Sequence, residues 1–335
     1  MADVVVGVAE ETVPVPLAVR PAGILSVATA LPEGRLTTRE LSEQLGISEE
    51  WILSRTGIRE RRRAAPDERL SDFAAQAGAA ALARAGLPAA ELDLVIVATM
   101  TPDEITPNTA PIVADALGAT RAGAFDVGAA CSAFLVALAQ GAAQIECGRA
   151  EHVLVIGADF ITRVTNYEDA KTAPLFADAA GAVVLGPSAS GRAGIGPIVL
   201  GADGSHAETI IATQTERLIR MDGPEVFRHA ISRMSAVTHE AVARAGLTLG
   251  EIDLFVFHQA NARITRALGE RLGLAPERVV DCIELLGNSS AATLPVALAA
   301  AELDGRLRPG TRIVLSAFGA GFTWGGAVIE WDGRG

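Results

Sequence analysis

The chain is poor in cysteine: it has three among 335 residues, Cys131, Cys147 and Cys282. An odd number in no metal-ligand spacing suggests neither a disulfide framework nor a cysteine zinc site, and fits a reducing, cytoplasmic setting. Lysine is nearly absent, Lys171 being the single one, so every other basic residue is an arginine. Positive charge is short as a whole. The formal net charge is −12, which argues against nucleic acid as a partner and requires any acidic partner to meet a local basic patch. Long apolar runs are missing too, because glycine, proline or charge interrupts each before it reaches the length of a membrane span. Residues 1–20 carry Glu10, Glu11, Pro14 and Pro16 and no basic stretch ahead of an apolar core. They read as an N-terminal arm or an added edge strand rather than a signal peptide.

Half of the residues are hydrophobic, enough for one large core or two fused halves. A repeat decides between them. Residues 81–94 and 241–254 agree at nine of fourteen positions at an offset of 160, each copy ending a helix at a glycine (Gly86, Gly246) before an apolar strand. Val153-Leu154-Val155-Ile156 is echoed by Ile313-Val314-Leu315-Ser316, and Ala180–Leu185 by Gly325–Glu330. Two such long copies predict two similar α/β halves packed together, over residues 21–190 and 220–335. Ligands of such sheets gather at strand ends, and three loops there carry chemistry.

Cys131 stands where a strand ends and a helix begins, in Phe125-Asp126-Val127-Gly128-Ala129-Ala130-Cys131-Ser132. The following residues, Phe134–Ile145, are apolar on nearly every face, so the helix is expected between the sheets with its amino end at the thiol. A helix N-terminus favours thiolate and can lower a thiol pKa of about 8.5 by a unit or more. His258 follows the strand Phe255-Val256-Phe257, and Asn288 lies in Leu286-Gly287-Asn288-Ser289-Ser290-Ala291. Singly, each has an ordinary structural explanation as a strand-end histidine or a turn.

Together they resemble the β-ketoacyl-acyl-carrier-protein synthase III family of the thiolase superfamily, from about Ala22 to Trp331. The resemblance rests on the nucleophile segment, on His258-Gln259-Ala260-Asn261-Ala262-Arg263-Ile264, on Gly287-Asn288-Ser289-Ser290-Ala291-Ala292 and on Phe318-Gly319-Ala320-Gly321-Phe322-Thr323-Trp324-Gly325. It implies a thiolase-like α/β fold with a five-layer αβαβα core. It also implies that Cys131 takes an acyl group from acyl-CoA or an acyl carrier, with backbone N–H groups of Cys131 and Ala320 holding the oxyanion. His258 and Asn288 would then stabilise the enolate from decarboxylation of malonyl on acyl carrier protein. The family pattern further implies CoA contacts at Trp51, Arg55, Gly223 and Phe227, and carrier-docking bases at Arg228, Arg263 and Arg271. Helical spacing adds Arg266 to the face of Arg263. Thr106 matches a residue that gates acyl length across a homodimer. No metal and no cofactor beyond the CoA and carrier thioesters is implied.

The chain departs from the pattern at Ala170, where a second CoA-binding arginine is expected, and at Pro224. A competing reading is an acyltransferase that moves the acyl group to an alcohol, amine or carrier without condensation; Asn288 argues against it. A non-catalytic subunit that shapes a pocket is disfavoured by Cys131. Asp103 and Glu104 read as solvated loop acids rather than a base, and Cys147 and Cys282 as packing residues.

Overall fold

The computed structural model describes residues 20–188 and 194–333; the expected N-terminal arm lies, apart from Arg20, outside the described residues. Strand β1 (Ala22–Ala30) comes first, and the small pair β2 (Arg35–Thr37) and β3 (Glu60–Arg62) brackets α1 (Thr38–Leu45) and α2 (Glu49–Thr56). Then follow α3 (Leu70–Ala85), β4 (Leu94–Ala98), α4 (Thr109–Leu117), β5 (Gly123–Val127), α5 (Ala133–Glu146), β6 (Val153–Phe160) and β7 (Asp178–Pro187). The second half opens with β8 (Ile195–Ala202), the short pair β9 (Ile210–Ile211) and β10 (Arg220–Met221), and α6 (Gly223–Arg244). It continues through β11 (Leu254–Phe257), α7 (Ala262–Leu272), α8 (Ile283–Leu286), α9 (Thr293–Leu303), β12 (Arg312–Gly319) and β13 (Thr323–Glu330).

The duplication seen in the repeat is a duplication of topology. One sheet has the order β1-β7-β6-β4-β5 and the other, read from its far edge, β8-β13-β12-β11. In each, a parallel pair (β4 with β6, β11 with β12) continues into two antiparallel strands. The place of β5 is taken in the second sheet by a single parallel bridge from Phe255 to Val279. Strand β8 pairs with β13, so the second sheet begins ahead of the boundary at 220 expected from the sequence.

Five layers result. Helices α3 and α4 cover the outer face of the first sheet, and α6 and α7 cover the outer face of the second. Between the sheets lie α5 and α9, whose Phe134, Leu135, Leu138, Leu294 and Leu298 are fully buried among inward-facing strand residues. A helix enclosed over most of its surface must be apolar on nearly every face, as the residues after Cys131 are, and the polar Gln140 marks where α5 reaches solvent. The start of each central helix therefore meets the carboxyl ends of strands from both sheets, where side chains from the two halves can converge.

Candidate active site

Cys131 sits in a 3-10 turn, Ala130–Ser132, that feeds α5. Ala130 opens the turn at φ 46°, a left-handed value uncommon for a residue with a Cβ. The second half repeats the device: Ser290 has φ 50° and opens the 3-10 turn Ser290–Ala292 ahead of α9. At the offset of 160, Cys131 corresponds to Ala291. The glycine-rich turn after β12 closes on Cys131, and a Cβ placed on Gly319 would lie 2.7 Å from the Cys131 nitrogen. Only glycine permits that approach. Ser132 Oγ lies 2.8 Å from Thr323 Oγ1, which is 3.1 Å from the Ala320 carbonyl, so the two turns are tied together.

His258 prolongs the β11–β12 ladder, its N–H donating to the Ser316 carbonyl at 2.8 Å. Its side chain is buried, with Nδ1 2.6 Å from Thr293 Oγ1. The Thr293 hydroxyl is also 2.9 Å from the Ser290 carbonyl. One hydroxyl proton cannot serve both, so the orientation of Thr293 sets which imidazole nitrogen carries the proton. Asn288 is held by the first half, its N–H donating to the Leu175 carbonyl and its carbonyl accepting from Ala177 N–H, both at 2.9 Å. Its Oδ1 accepts from Ser290 N–H at 2.9 Å, which fixes the amide with Nδ2 as the remaining donor.

Asp159 is a site residue that sequence reasoning missed. Fully buried near the end of β6, it accepts from Met100 N–H at 2.8 Å, Thr101 Oγ1 at 2.9 Å and Ala291 N–H at 3.1 Å. The Ser290 hydroxyl lies beside both Asp159 and Cys131, though it meets strict hydrogen-bond geometry with neither. The signal that could have found it is an acid inside an otherwise apolar strand, one repeat offset from Gly319.

These surroundings correct the expected state of the thiol. Burial pushes Cys131 up to about 11, the neighbouring Ser290 hydroxyl opposing the shift and the Asp159 carboxylate adding to it. Desolvation is the largest influence on this thiol, and it favours the neutral form. Burial also drives His258 down to about 3, so its imidazole is neutral.

A cavity of about 710 Å³ brings together Cys131, His258, Asn288, Ser290 and Ala320. Its wall is apolar, with Ile161, Phe176, Ile219, Met234 and Phe318 among the lining side chains. Trp51, Arg55, Gly223, Phe227, Arg228 and Arg263 line it too. The Arg55 guanidinium stacks 4.3 Å from the Trp51 ring centroid, and Arg263 lies 5.4 Å from that of Phe227. Asn261 joins the two walls by capping α7 and donating from Nδ2 to the Arg55 carbonyl at 2.9 Å. Arg266 and Arg271 are exposed on α7 and do not line the cavity, and neither does the exposed Thr106. Asp103 is no solvated acid: it accepts from the first N–H groups of α3, at Leu70 and Ser71, and pairs with Arg163 at 3.0 Å. Glu104 pairs with Arg69 at 2.8 Å. Cys147 is exposed at the end of α5 and packs no core, while Cys282 is half-buried.

A cysteine on a tight turn, at the meeting point of two duplicated α/β halves, is the arrangement of an acyltransferase with the thiolase fold. Comparison with known proteins narrows the class. The model for 3-oxoacyl-[acyl-carrier-protein] synthase III matches residues 125–204, and the model for the C-terminal part of the same enzymes matches residues 242–331. A β-ketoacyl-[acyl-carrier-protein] synthase III of Symbiobacterium thermophilum is 44% identical, over 93% of this chain and 99% of that protein. The crystal structure of 3-oxoacyl-[acyl-carrier-protein] synthase III from Aquifex aeolicus superposes with a TM-score of 0.89 at 39% identity, covering 92% of this chain and 100% of its own. The priming β-ketosynthase of the R1128 polyketide pathway superposes at 0.91 and 37% identity, covering 96% of this chain and 99% of its own. The chain belongs to the β-ketoacyl-[acyl-carrier-protein] synthase III family. Among the described residues no helix is long and apolar enough to cross a membrane.

Proposed function

We propose that the chain acylates Cys131 and then condenses that acyl group with malonyl carried on acyl carrier protein, starting a fatty-acid or polyketide chain. The observation that carries this reading is the shared cavity of Cys131, His258 and Asn288, with Asn288 Oδ1 already engaged and Nδ2 left to donate.

In the first stage Sγ attacks the carbonyl of an acyl-CoA; the new C–S bond forms, the bond to CoA breaks, and the thiol proton leaves with the CoA sulfur. The N–H groups of Cys131 and Ala320 hold the oxyanion, at the approach that Gly319 allows. In the second stage malonyl loses carbon dioxide, and its enolate carbon attacks the acyl-cysteine. Cys131 departs as thiolate and regains a proton from solvent, replacing the one lost with the CoA thiol. His258 Nε2 and Asn288 Nδ2 donate to the enolate oxygen, which requires the Thr293 hydroxyl to face Nδ1 at that moment. A neutral amide at 288 suits this role, because a carboxylate there would repel the enolate.

Trp51 and Arg55 at the cavity wall suit the adenine and phosphates of CoA, with Gly223 and Phe227 along its arm. Arg228 and Arg263, also at the wall, suit an acidic carrier protein, and Arg266 and Arg271 extend that face along α7. A homodimer in the cytoplasm completes the reading. The open edge of β5, with Phe125 39% exposed, and Ile105 at 87% exposure beside Thr106 support it. No cofactor beyond the two thioesters enters these steps.

Intact-protein and peptide mass spectrometry tests the proposal. Acyl-CoA should add its acyl mass to the Cys131 peptide, and malonyl carrier protein should discharge it with release of carbon dioxide. Discharge to an alcohol or amine without carbon dioxide would establish simple acyl transfer instead.

A further inference from the structure

Against Phe322, in the glycine-rich turn, two imidazoles and a carboxylate converge. His206 comes from the 3-10 segment Gly204–Thr209, and Glu225 and His229 stand one turn apart on α6. One ligating atom from each lies within 4.8 Å of the others. Two ligands bound about 2.1 Å from one ion can be no more than about 4.2 Å apart, so a small imidazole rotation closes the set. None of the three lines the acyl cavity.

We propose that His206, Glu225 and His229 form a binding site for a divalent transition-metal ion, of the class of zinc, cobalt or nickel. Two imidazole nitrogens and one carboxylate favour such ions over magnesium and calcium, which take oxygen sets. The surroundings are those of a supported site. His229 Nε2 is already 2.9 Å from Glu225 Oε1, so helix geometry has brought two of the ligands together. Both imidazoles pack against the Phe322 ring, with centroids 5.1 Å away, which limits their rotation and shields one side from water. Asp203 Oδ2 lies 4.0 Å from His206 Nε2 and supplies a second carboxylate beside the set.

Two arginines are the resident counter-ions. Arg233 is held by Asp203 at 2.7 Å and stacks over Trp324. Arg228 pairs with Glu225, but its side chain is 71% exposed and can swing into solvent when a metal takes the carboxylate. Metal binding would fasten the 3-10 segment to α6 across Phe322. Asp203 and Phe322 exchange both backbone hydrogen bonds, at 2.8 and 2.7 Å, so the fastening reaches the turn that carries Ala320. The ion would stiffen the back of the acylation site without touching either substrate.

Cobalt titration of the untagged, chelator-treated full-length protein tests this, read by visible absorption and by the shift in thermal midpoint. The parent should bind one equivalent with the d–d bands of a low-symmetry nitrogen–oxygen site and no sulfur charge-transfer band, and should melt at higher temperature. Cys131→Ser should bind cobalt equally well. His206→Ala and His229→Ala should each weaken binding by more than about 100-fold, beyond what loss of a merely supporting residue causes. Glu225→Gln, which keeps the size of the side chain, should do the same if either alanine variant fails to fold. Absence of binding at micromolar cobalt would overturn the proposal. So would binding unchanged in all three ligand variants, or a sulfur band lost in Cys131→Ser.

Discussion

Ala130 and Ser290 sit at positive φ, 46° and 50°, each opening a 3-10 turn that feeds a buried helix, yet only the first turn carries a thiol. The second presents Ala291 at the equivalent position, and its neighbours Asn288, Ser290 and Thr293 gather around the first. Each turn is also met by a glycine of the opposite half. Gly319 admits the Cys131 nitrogen, and Gly157 admits the Ala291 carbonyl, which a Cβ there would approach to 2.3 Å. The backbone is thus a property of the duplicated fold, and the chemistry comes from side chains divided unequally between the copies. In the proposed reaction the first half would attack, and the second would hold hydrogen-bond donors in place.

The sharpest way to break this division is to move the thiol. Cys131→Ala should lower acyl transfer by at least about 1000-fold, and adding Ala291→Cys should not restore it, because that turn has no glycine-rich loop of its own over it. Acyl-CoA labelling followed by peptide mapping reads both variants. A smaller loss should follow removal of either supporting donor. His258→Ala and Asn288→Ala should each reduce condensation by about 100- to 1000-fold while self-acylation stays within a few-fold of the parent. Equal loss in both half-reactions, measured separately, would mean that the halves do not divide the work.

Proton chemistry should separate the halves as well. With the thiol raised to about 11, alkylation of Cys131 by iodoacetamide should climb about tenfold per pH unit from neutrality toward pH 10. Condensation by preformed acyl-enzyme should show no step near pH 6.5, because His258, lowered to about 3, stays neutral there. The two glycines should divide in the same sense. Gly319→Ala and Gly157→Ala should each lower stability by about 1–3 kcal/mol through overpacking. The first should slow acylation and the second condensation, with denaturant melts run beside each half-reaction. The smallest effect belongs to the surface. Arg263→Glu with Arg266→Glu should raise the KM for malonyl carrier protein a few-fold and flatten its salt dependence, leaving acylation from acyl-CoA near normal.

Much of this was legible in the sequence. The repeat gave the pairing of the halves, and the uninterrupted apolar face of residues 134–145 placed a helix between the sheets. The ends of apolar strands located Cys131 and His258. Where the reading fell short, the missing information was three-dimensional. Strand β8 is hard to see in the sequence because Gly196 and Pro197 break its pattern and only Ile195 and Val199 are buried. A helix start, visible along the chain, favours thiolate, whereas the burial and the Asp159 carboxylate that oppose it arrive from elsewhere. Thr293, Ser290 and Asp159 look like a helix start, a turn and a lone acid until the second half folds onto the first.

The lowered basicity of His258 also bears on time. An enzyme that accepts two substrates in turn must keep the first as a thioester until the second arrives, and water is the competitor. An imidazole with a pKa of about 3 is too weak a base to activate water near neutral pH, although a hydrogen-bonding role remains open to it. The wall around the thioester is mostly apolar and offers water few polar partners. On the proposed reaction, the loaded enzyme would be a reservoir whose lifetime is set by the supply of the extending substrate rather than by hydrolysis.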